Sequence, residues 1–175
     1  MKNPKPKIED VAGEVLSGDA LANALDFFAY LRENKLNPTW SAANAWKVSS
    51  KTFTVCFIRL HGTAEYHGLG PGEWNIIPFI GEYDADSLSN ADKEIAWANK
   101  RICSSCGQCA LQLETVFGKK YQYACEAAIC FRNPDKSAIA CAKKIVELRK
   151  GEIKLGLAKK HQYIPYKDRA NTSNV

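Results

Sequence analysis

No stretch of this chain is apolar for long enough to cross a bilayer. Its longest apolar runs, such as VCFI at 55–58 and NIIPFI at 75–80, fall far short of the roughly 20 residues a membrane helix needs. The N-terminus, MKNPKPKIED, has lysines but no apolar segment behind them, which argues against a secretory signal. Lipidation motifs are missing at both ends. So are the common catalytic signatures: there is no G-x-S-x-G, no P-loop, no dinucleotide fingerprint and no H-E-x-x-H. No internal repeat at a fixed period stands out. These absences lead to an expectation of a cytoplasmic domain and lean away from an enzyme.

What is present is ordinary in bulk. The 175 residues are 46% apolar and 25% charged, enough for one compact domain with its own core. The charge is uneven. Residues 143–175 hold nine Lys and Arg against three acids, a net +6, whereas the rest of the chain nets −1. The expected organisation is a single domain over 1–150 and a basic, loosely held segment over 151–175. Such a segment is usually a solvated helix face with a frayed tail. Nucleic-acid contact is the alternative, and membrane contact is not expected.

The periodicities predict α+β. Residues 7–17 place Ile8, Val11, Ala12, Val15 and Leu16 on one helical face. A second helix is expected at about 20–34, burying Leu21, Ala24, Leu25, Phe28 and Leu31. TWSAANAWKV reads as one strand with Trp40 and Trp46 on the same side. TFTVCFIRL is apolar on both parities and reads as a central strand covered on both faces. WNIIPFI is a third strand, and Pro78 sets it at an edge or near a strand end. A third helix follows, capped by Ser87 or Ser89, with Leu88, Ala91, Ile95, Ala98 and Ile102 buried and Lys100 and Arg101 in its last turn. Gly118-Lys119 is a candidate turn between two extended arms. In RNPDKSAIACAKKIVELRK, Asn133 is the expected cap of the final helix and Pro134 its first residue. The predicted whole is an antiparallel sheet of about 3–5 strands with helices packed on one side, two helices first and a long helix last.

Seven cysteines are too many to ignore. Their odd number, the chain's size and a reducing compartment argue against a disulfide framework. Cys103, Cys106 and Cys109 stand in ICSSCGQCA at 102–110, a loop expected after the third helix. C-x2-C brings two sulfurs to one centre, and here it occurs twice, overlapping at Cys106. Zinc held by these thiolates is the leading expectation, with a fourth ligand from Cys125 or Cys130. A turn at Gly118-Lys119 would set Cys130 opposite Gly107 and Cys125 opposite Gln112, which favours Cys130. Packed thiols without metal, an iron–sulfur cluster and a thiol-redox pair are the other readings.

The stretches AYLR, EWNIIPF and AWANK, with CGQCA, FGKKYQYAC and NPDKSAIACAKKIVELRK, resemble a family of small bacterial proteins from Firmicutes over most of residues 20–150. The resemblance implies no established activity. It implies that Cys106, Cys109 and Cys125 are better ligand candidates than Cys130, Cys56 or Cys141. The expected metal set is therefore Cys103, Cys106, Cys109 and Cys125, with Cys130 as the alternative fourth ligand.

A second candidate site is the glycine-rich loop 61–73. His61, Glu65 and His67 could bind a metal or shuttle protons, although a solvent-exposed loop is the simpler reading. Trp74 and the other tryptophans could line a small-molecule pocket, although core packing explains them as well. The expected function is thus a zinc-stabilised domain that binds a small molecule or a protein partner.

Overall fold

The computed structural model describes residues 5–42, 44–61, 69–79, 87–100, 113–122 and 129–158. Among the described residues, four helices and an antiparallel five-stranded sheet form an α+β fold. Helix α1 (Ile8–Val15) and helix α2 (Gly18–Glu33) come first. Strands β1 (Thr39–Ala42), β2 (Ala45–Ser50), β3 (Phe53–Leu60) and β4 (Trp74–Pro78) then run as a meander. Helix α3 (Asn90–Ala98) and a separate hairpin, β5 (Leu113–Val116) and β6 (Lys119–Gln122), intervene before β7 (Phe131–Arg132) closes the sheet beside β4. Helix α4 (Lys136–Leu155) is last. Among the described residues, no helix is long and apolar enough to cross a membrane.

Strand alternation sorts the sheet into two faces. Trp46, Val48, Cys56, Ile58, Leu60, Trp74, Ile76 and Phe131 lie in register on one face and are fully buried. Helices α1 and α4 pack against β3 on this side, and α2 packs on both helices. The opposite face carries Phe57, Arg59, Asn75, Ile77 and Arg132. Ile77 is buried there too, so β3 and β4 are covered on both faces, as the two apolar parities of TFTVCFIRL predict.

Several local expectations are corrected. TWSAANAWKV is a hairpin, not one strand: Ala42 pairs with Ala45, Asn44 takes the left-handed conformation (φ 56°), and Trp40 pairs across from Trp46. Asn tolerates that conformation better than most residues, so a turn without glycine forms here. Helix α2 buries Ala24, Phe27, Phe28 and Leu31, whereas Leu25 is 41% exposed. Helix α3 turns Asp92 and Ala96 inward and leaves Ala91 and Ala98 exposed, because Asp92 reaches Lys144 of α4. Ser89 caps α3, as one of the two predicted serines. The cap of α4 is Asp135, whose carboxylate accepts from the Ala138 N–H at 2.8 Å. Asn133 stands outside the helix at φ 44°. Pro78 is the last residue of β4, which agrees with the strand-end alternative expected for it; β4 lies between β3 and β7 and is not an edge.

The hairpin turn is Phe117-Gly118, not Gly118-Lys119. Val116 pairs with Lys119, and both loop residues have positive φ (46° and 82°). That is the type I′ signature matched to strand twist. Trp97 of α3 donates its indole N–H to the Val116 carbonyl at 2.8 Å and so ties the hairpin to α3. Helix α4 runs past residue 150 to Leu155 and buries Glu152 and Ile153, so the domain body extends into the segment expected to be loosely held.

Candidate functional site

The sheet face away from the helices carries a polar row. Ala45 pairs with Arg59, Arg59 with Asn75, and Asn75 with Arg132. The polar row, Arg59, Asn75 and Arg132, therefore crosses β3, β4 and β7 at one level, with Ala45 beside it on β2. Asn75 is only 3% exposed, and its Oδ1 has no hydrogen-bond partner. Arg132 is half-exposed and opens the row to solvent.

Glu73 organises the end of this row. Its carboxylate accepts from Arg132, from the Gly70 N–H and from Asn133 Nδ2 (3.4 Å). Arg132 above all, then the Gly70 amide, hold that carboxyl below the usual carboxylate range, and Glu73 in turn raises Arg132. Asn133 also accepts from the Trp74 N–H at 2.9 Å and donates its own N–H to the Trp74 carbonyl. The left-handed backbone at Asn133 thus places one side chain to close the start of β4 and to touch Glu73. His61 donates Nδ1–H to the Leu69 carbonyl at 3.2 Å, and its backbone N–H bonds the Glu73 carbonyl. Glu65 and His67 lie outside the described residues. Trp74, placed with them in the expected loop site, is instead fully buried on the helix side, edge-on to Phe28 at 6.1 Å. The sheet separates it from His61, because Trp74 and Leu60 share the helix-side face.

Cys103, Cys106, Cys109 and Cys125 lie outside the described residues, and the structure describes what brackets them. Lys100 forms a β-bridge with Ile129, and the Cys130 N–H donates to the Asn99 carbonyl at 2.9 Å. At the far end Leu113 pairs with Gln122. Cys130 is half-buried between Ile129 and Phe131, which are both in the core, so alternation turns it to the same face as Arg132. Among the described residues, no group of three His, Cys, Asp or Glu side chains is placed to hold a metal.

The remaining cysteines are core residues. Burial alone pushes the Cys56 thiol up. Burial, then the nearby Asp92 charge, pushes the Cys141 thiol up to about 12. Neither is a nucleophile at neutral pH. The basic residues of α4 are largely spoken for as well. Lys143 pairs with Asp26, Lys144 with Asp92, Arg149 with Glu152 and Lys150 with Glu147. The lysines and arginine at 159–169 lie outside the described residues.

Sequence reasoning missed Arg59, Glu73, Asn75 and Arg132 as a group. One signal was available: Asn75 is the lone polar side chain in the apolar run WNIIPFI. No family model, curated protein or solved structure matches the chain.

Proposed function

We propose that the chain is a non-enzymatic α+β domain, stabilised by zinc on Cys103, Cys106, Cys109 and Cys125, that binds a small molecule or protein partner on the sheet face opposite the helices. One observation carries the metal half. Both cysteine-bearing segments, 101–112 and 123–128, run between the same two closed rungs, Lys100 with Ile129 and Leu113 with Gln122. Paired Cα atoms in an antiparallel bridge are about 5 Å apart. Cys103 is three residues from Lys100, hence within roughly 11 Å of it, and Cys125 is four residues from Ile129, hence within roughly 14 Å. The covalent tethers thus permit Cys103 and Cys125 to meet, and Cys106 and Cys109 lie on the chain between the rungs. Two overlapping C-x2-C knuckles plus one more thiolate complete a tetrahedral set. A zinc there would close the segment as a cross-link and add its binding energy to folding.

Elemental analysis with an absorption spectrum tests this. One zinc per chain and no visible bands are expected. Cys125→Ser should lose the zinc and Cys130→Ser should keep it. Iron with visible bands would replace the zinc reading by an iron–sulfur one. Neither metal, with Cys103, Cys106, Cys109 and Cys125 alkylating freely in the native protein, would overturn both.

A further inference from the structure

Large apolar side chains are rarely left open on this molecule. Among the described residues Leu25 is 41% exposed, Leu157 42% and Leu155 73%. The last two flank the end of α4. Leu155 closes the helix, and Gly156 behind it takes the left-handed conformation (φ 75°). The Leu157 N–H then bonds the Glu152 carbonyl at 2.9 Å, and the Gly156 N–H bonds the Ile153 carbonyl at 3.3 Å. In a helix end of this kind the residue after the glycine ordinarily packs back on the one whose carbonyl it caps. Here that counterpart is Glu152, buried with its carboxylate on Arg149. It offers Leu157 no apolar surface.

Three reversals of the chain share this end of the domain. Helix α2 runs beside α4 in the same direction: Asn23 bonds Pro134, Asp26 pairs with Lys143, Tyr30 bonds Glu147 and Asn34 bonds Lys150. Helix α4 runs against β3. Asn133, just before α4, bonds Trp74, the partner of Leu60, and Arg149 reaches the Thr54 carbonyl. From Arg149 to Leu155 the helix continues about 9 Å past Thr54. The end of α4, the end of α2 and the β2–β3 turn at Lys51-Thr52 therefore lie at one end of the molecule. Exposed lysines surround it: Lys35 after α2, Lys51 in the turn and Lys154 in the last turn of α4. None of the three has an ion pair among the described residues. Against them stand Glu33, and Glu147, which Lys150 already pairs. Lys159 and Lys160 come next in the sequence.

We infer that this end of the domain docks on an anionic lipid surface, with Leu155 and Leu157 entering the headgroup boundary and Lys35, Lys51 and Lys154 meeting acidic headgroups. The combination selects the partner. A nucleic acid would use the lysines and leave both leucines in water. A second copy of the chain would bring like charges together. An anionic bilayer buries apolar side chains and attracts lysines at once. Such a contact lies on the membrane and needs no spanning helix, and no described helix is long and apolar enough to span. It goes beyond the function proposed above and uses neither the cysteines nor the open sheet face.

Flotation of the full-length protein, as purified, with lipid vesicles tests the contact. Vesicles of phosphatidylcholine containing phosphatidylserine should carry the protein, less so as salt rises. Vesicles of phosphatidylcholine alone should bind it at least tenfold more weakly, because each lysine near an anionic surface contributes about fivefold. The variant Leu155→Gln/Leu157→Gln, altered only at exposed positions, should bind the anionic vesicles about tenfold more weakly. Lys35→Gln and Lys51→Gln should each cost about fivefold. Both lie far in sequence from the basic residues at 159–169, so their effect separates this end from those residues acting alone. No flotation with the anionic vesicles would overturn the inference. So would flotation unchanged in the leucine variant, unchanged in both lysine variants, or equal on neutral vesicles. A leucine variant that keeps full vesicle binding, together with a DNA duplex held as tightly as the vesicles, would assign this end to nucleic acid instead.

Discussion

Arg149 and Glu152 offer the sharpest test of how α4 is held to the sheet. They stand one helical turn apart, 2.8 Å between Nη1 and Oε2, and are 5% and 4% exposed. Arg149 Nε also points at the Thr54 carbonyl of β3 at 3.4 Å. A pair this deep gains little over a well-packed apolar pair, because desolvation cancels most of the attraction. Breaking it is another matter. Arg149→Met keeps most of the hydrocarbon stem but strands a buried carboxylate. The expected loss is about 3–5 kcal/mol, a large part of the roughly 5–15 kcal/mol that holds a domain together. Glu152→Leu should also be destabilising, by removing the carboxylate that balances the buried guanidinium while its Nε contact to the Thr54 carbonyl remains. The double variant Arg149→Met/Glu152→Leu should lose far less than either single one, about 1 kcal/mol or nothing.

Urea unfolding followed by tryptophan fluorescence reads this directly, since Trp46 and Trp74 are buried in the same core. With a slope of about 2 kcal/mol per molar urea, Arg149→Met should move the midpoint down by about 1.5–2.5 M at unchanged slope. A second signature separates charge from packing. In Arg149→Met the stranded carboxylate favours the proton-bound form in the folded state, so the lost stability returns as pH falls and is lost again as pH rises. A double variant whose loss equals the sum of the two single losses would refute the reasoning. So would an Arg149→Met loss below about 1 kcal/mol, because the pair would then be behaving as a surface pair.

Other tests follow from neighbouring contacts. Glu73, Asp92, Asp135 and Glu147 all titrate below their ordinary range, held by Arg132, Lys144, the Ala138 amide and, against the opposing effect of burial, by Tyr30 and Lys150. Their stabilising contribution is complete above about pH 5 and is lost as pH falls through the lower folded values, so the melting temperature should drop in acid below about pH 5. Asp92→Asn should remove part of that acid sensitivity in the same melts. Asn133→Ala removes the acceptor for the Trp74 amide and puts alanine at φ 44°, whereas Asn133→Gly removes only the contacts. Alanine should therefore cost about 1 kcal/mol more than glycine in chemical unfolding. Cys56 and Cys141, buried and with raised thiol values, should resist alkylation in the native protein at pH 8 and react only on unfolding, as peptide mapping would show.

The elements legible in the sequence are those where one pattern acts alone. The Ile8 to Leu16 stripe, the doubly apolar β3 and the α4 stripe all carry their burial in their spacing. The failures occur where a distant partner decides. Nothing within α3 indicates that Asp92 faces inward, because its reason is Lys144, 52 positions away. Asn133 reads locally as a helix cap, yet its side chain is committed to the Trp74 amide, 59 positions away, which leaves the cap to Asp135. The polar row is the extreme case: Arg59, Asn75 and Arg132 become neighbours only through strand register. An isolated asparagine in an apolar run was the visible trace, and its meaning depends on which residues flank it across the sheet.

The bracketing rungs change the weight of the two candidates for the fourth sulfur. Setting Cys130 opposite Gly107 required one unbroken ladder running out from the turn. The observed register is centred one residue earlier, between Phe117 and Gly118. Continued from there, it would pair Ile129 with Cys106, but Ile129 pairs with Lys100. The ladder is therefore not continuous. Between the rungs lie twelve residues on the side of Cys103, Cys106 and Cys109 and six on the side of Cys125. Two β-strands of unequal length cannot pair residue for residue, and the six extra residues all fall on the side that carries both C-x2-C units. Knuckles around a metal need that kind of surplus, because each folds the chain back on itself. The geometric case for Cys130 rested on the unbroken ladder and falls with it. Cys125 belongs to the shorter segment between the two rungs, whereas Cys130 lies beyond the Lys100–Ile129 rung, near Arg132.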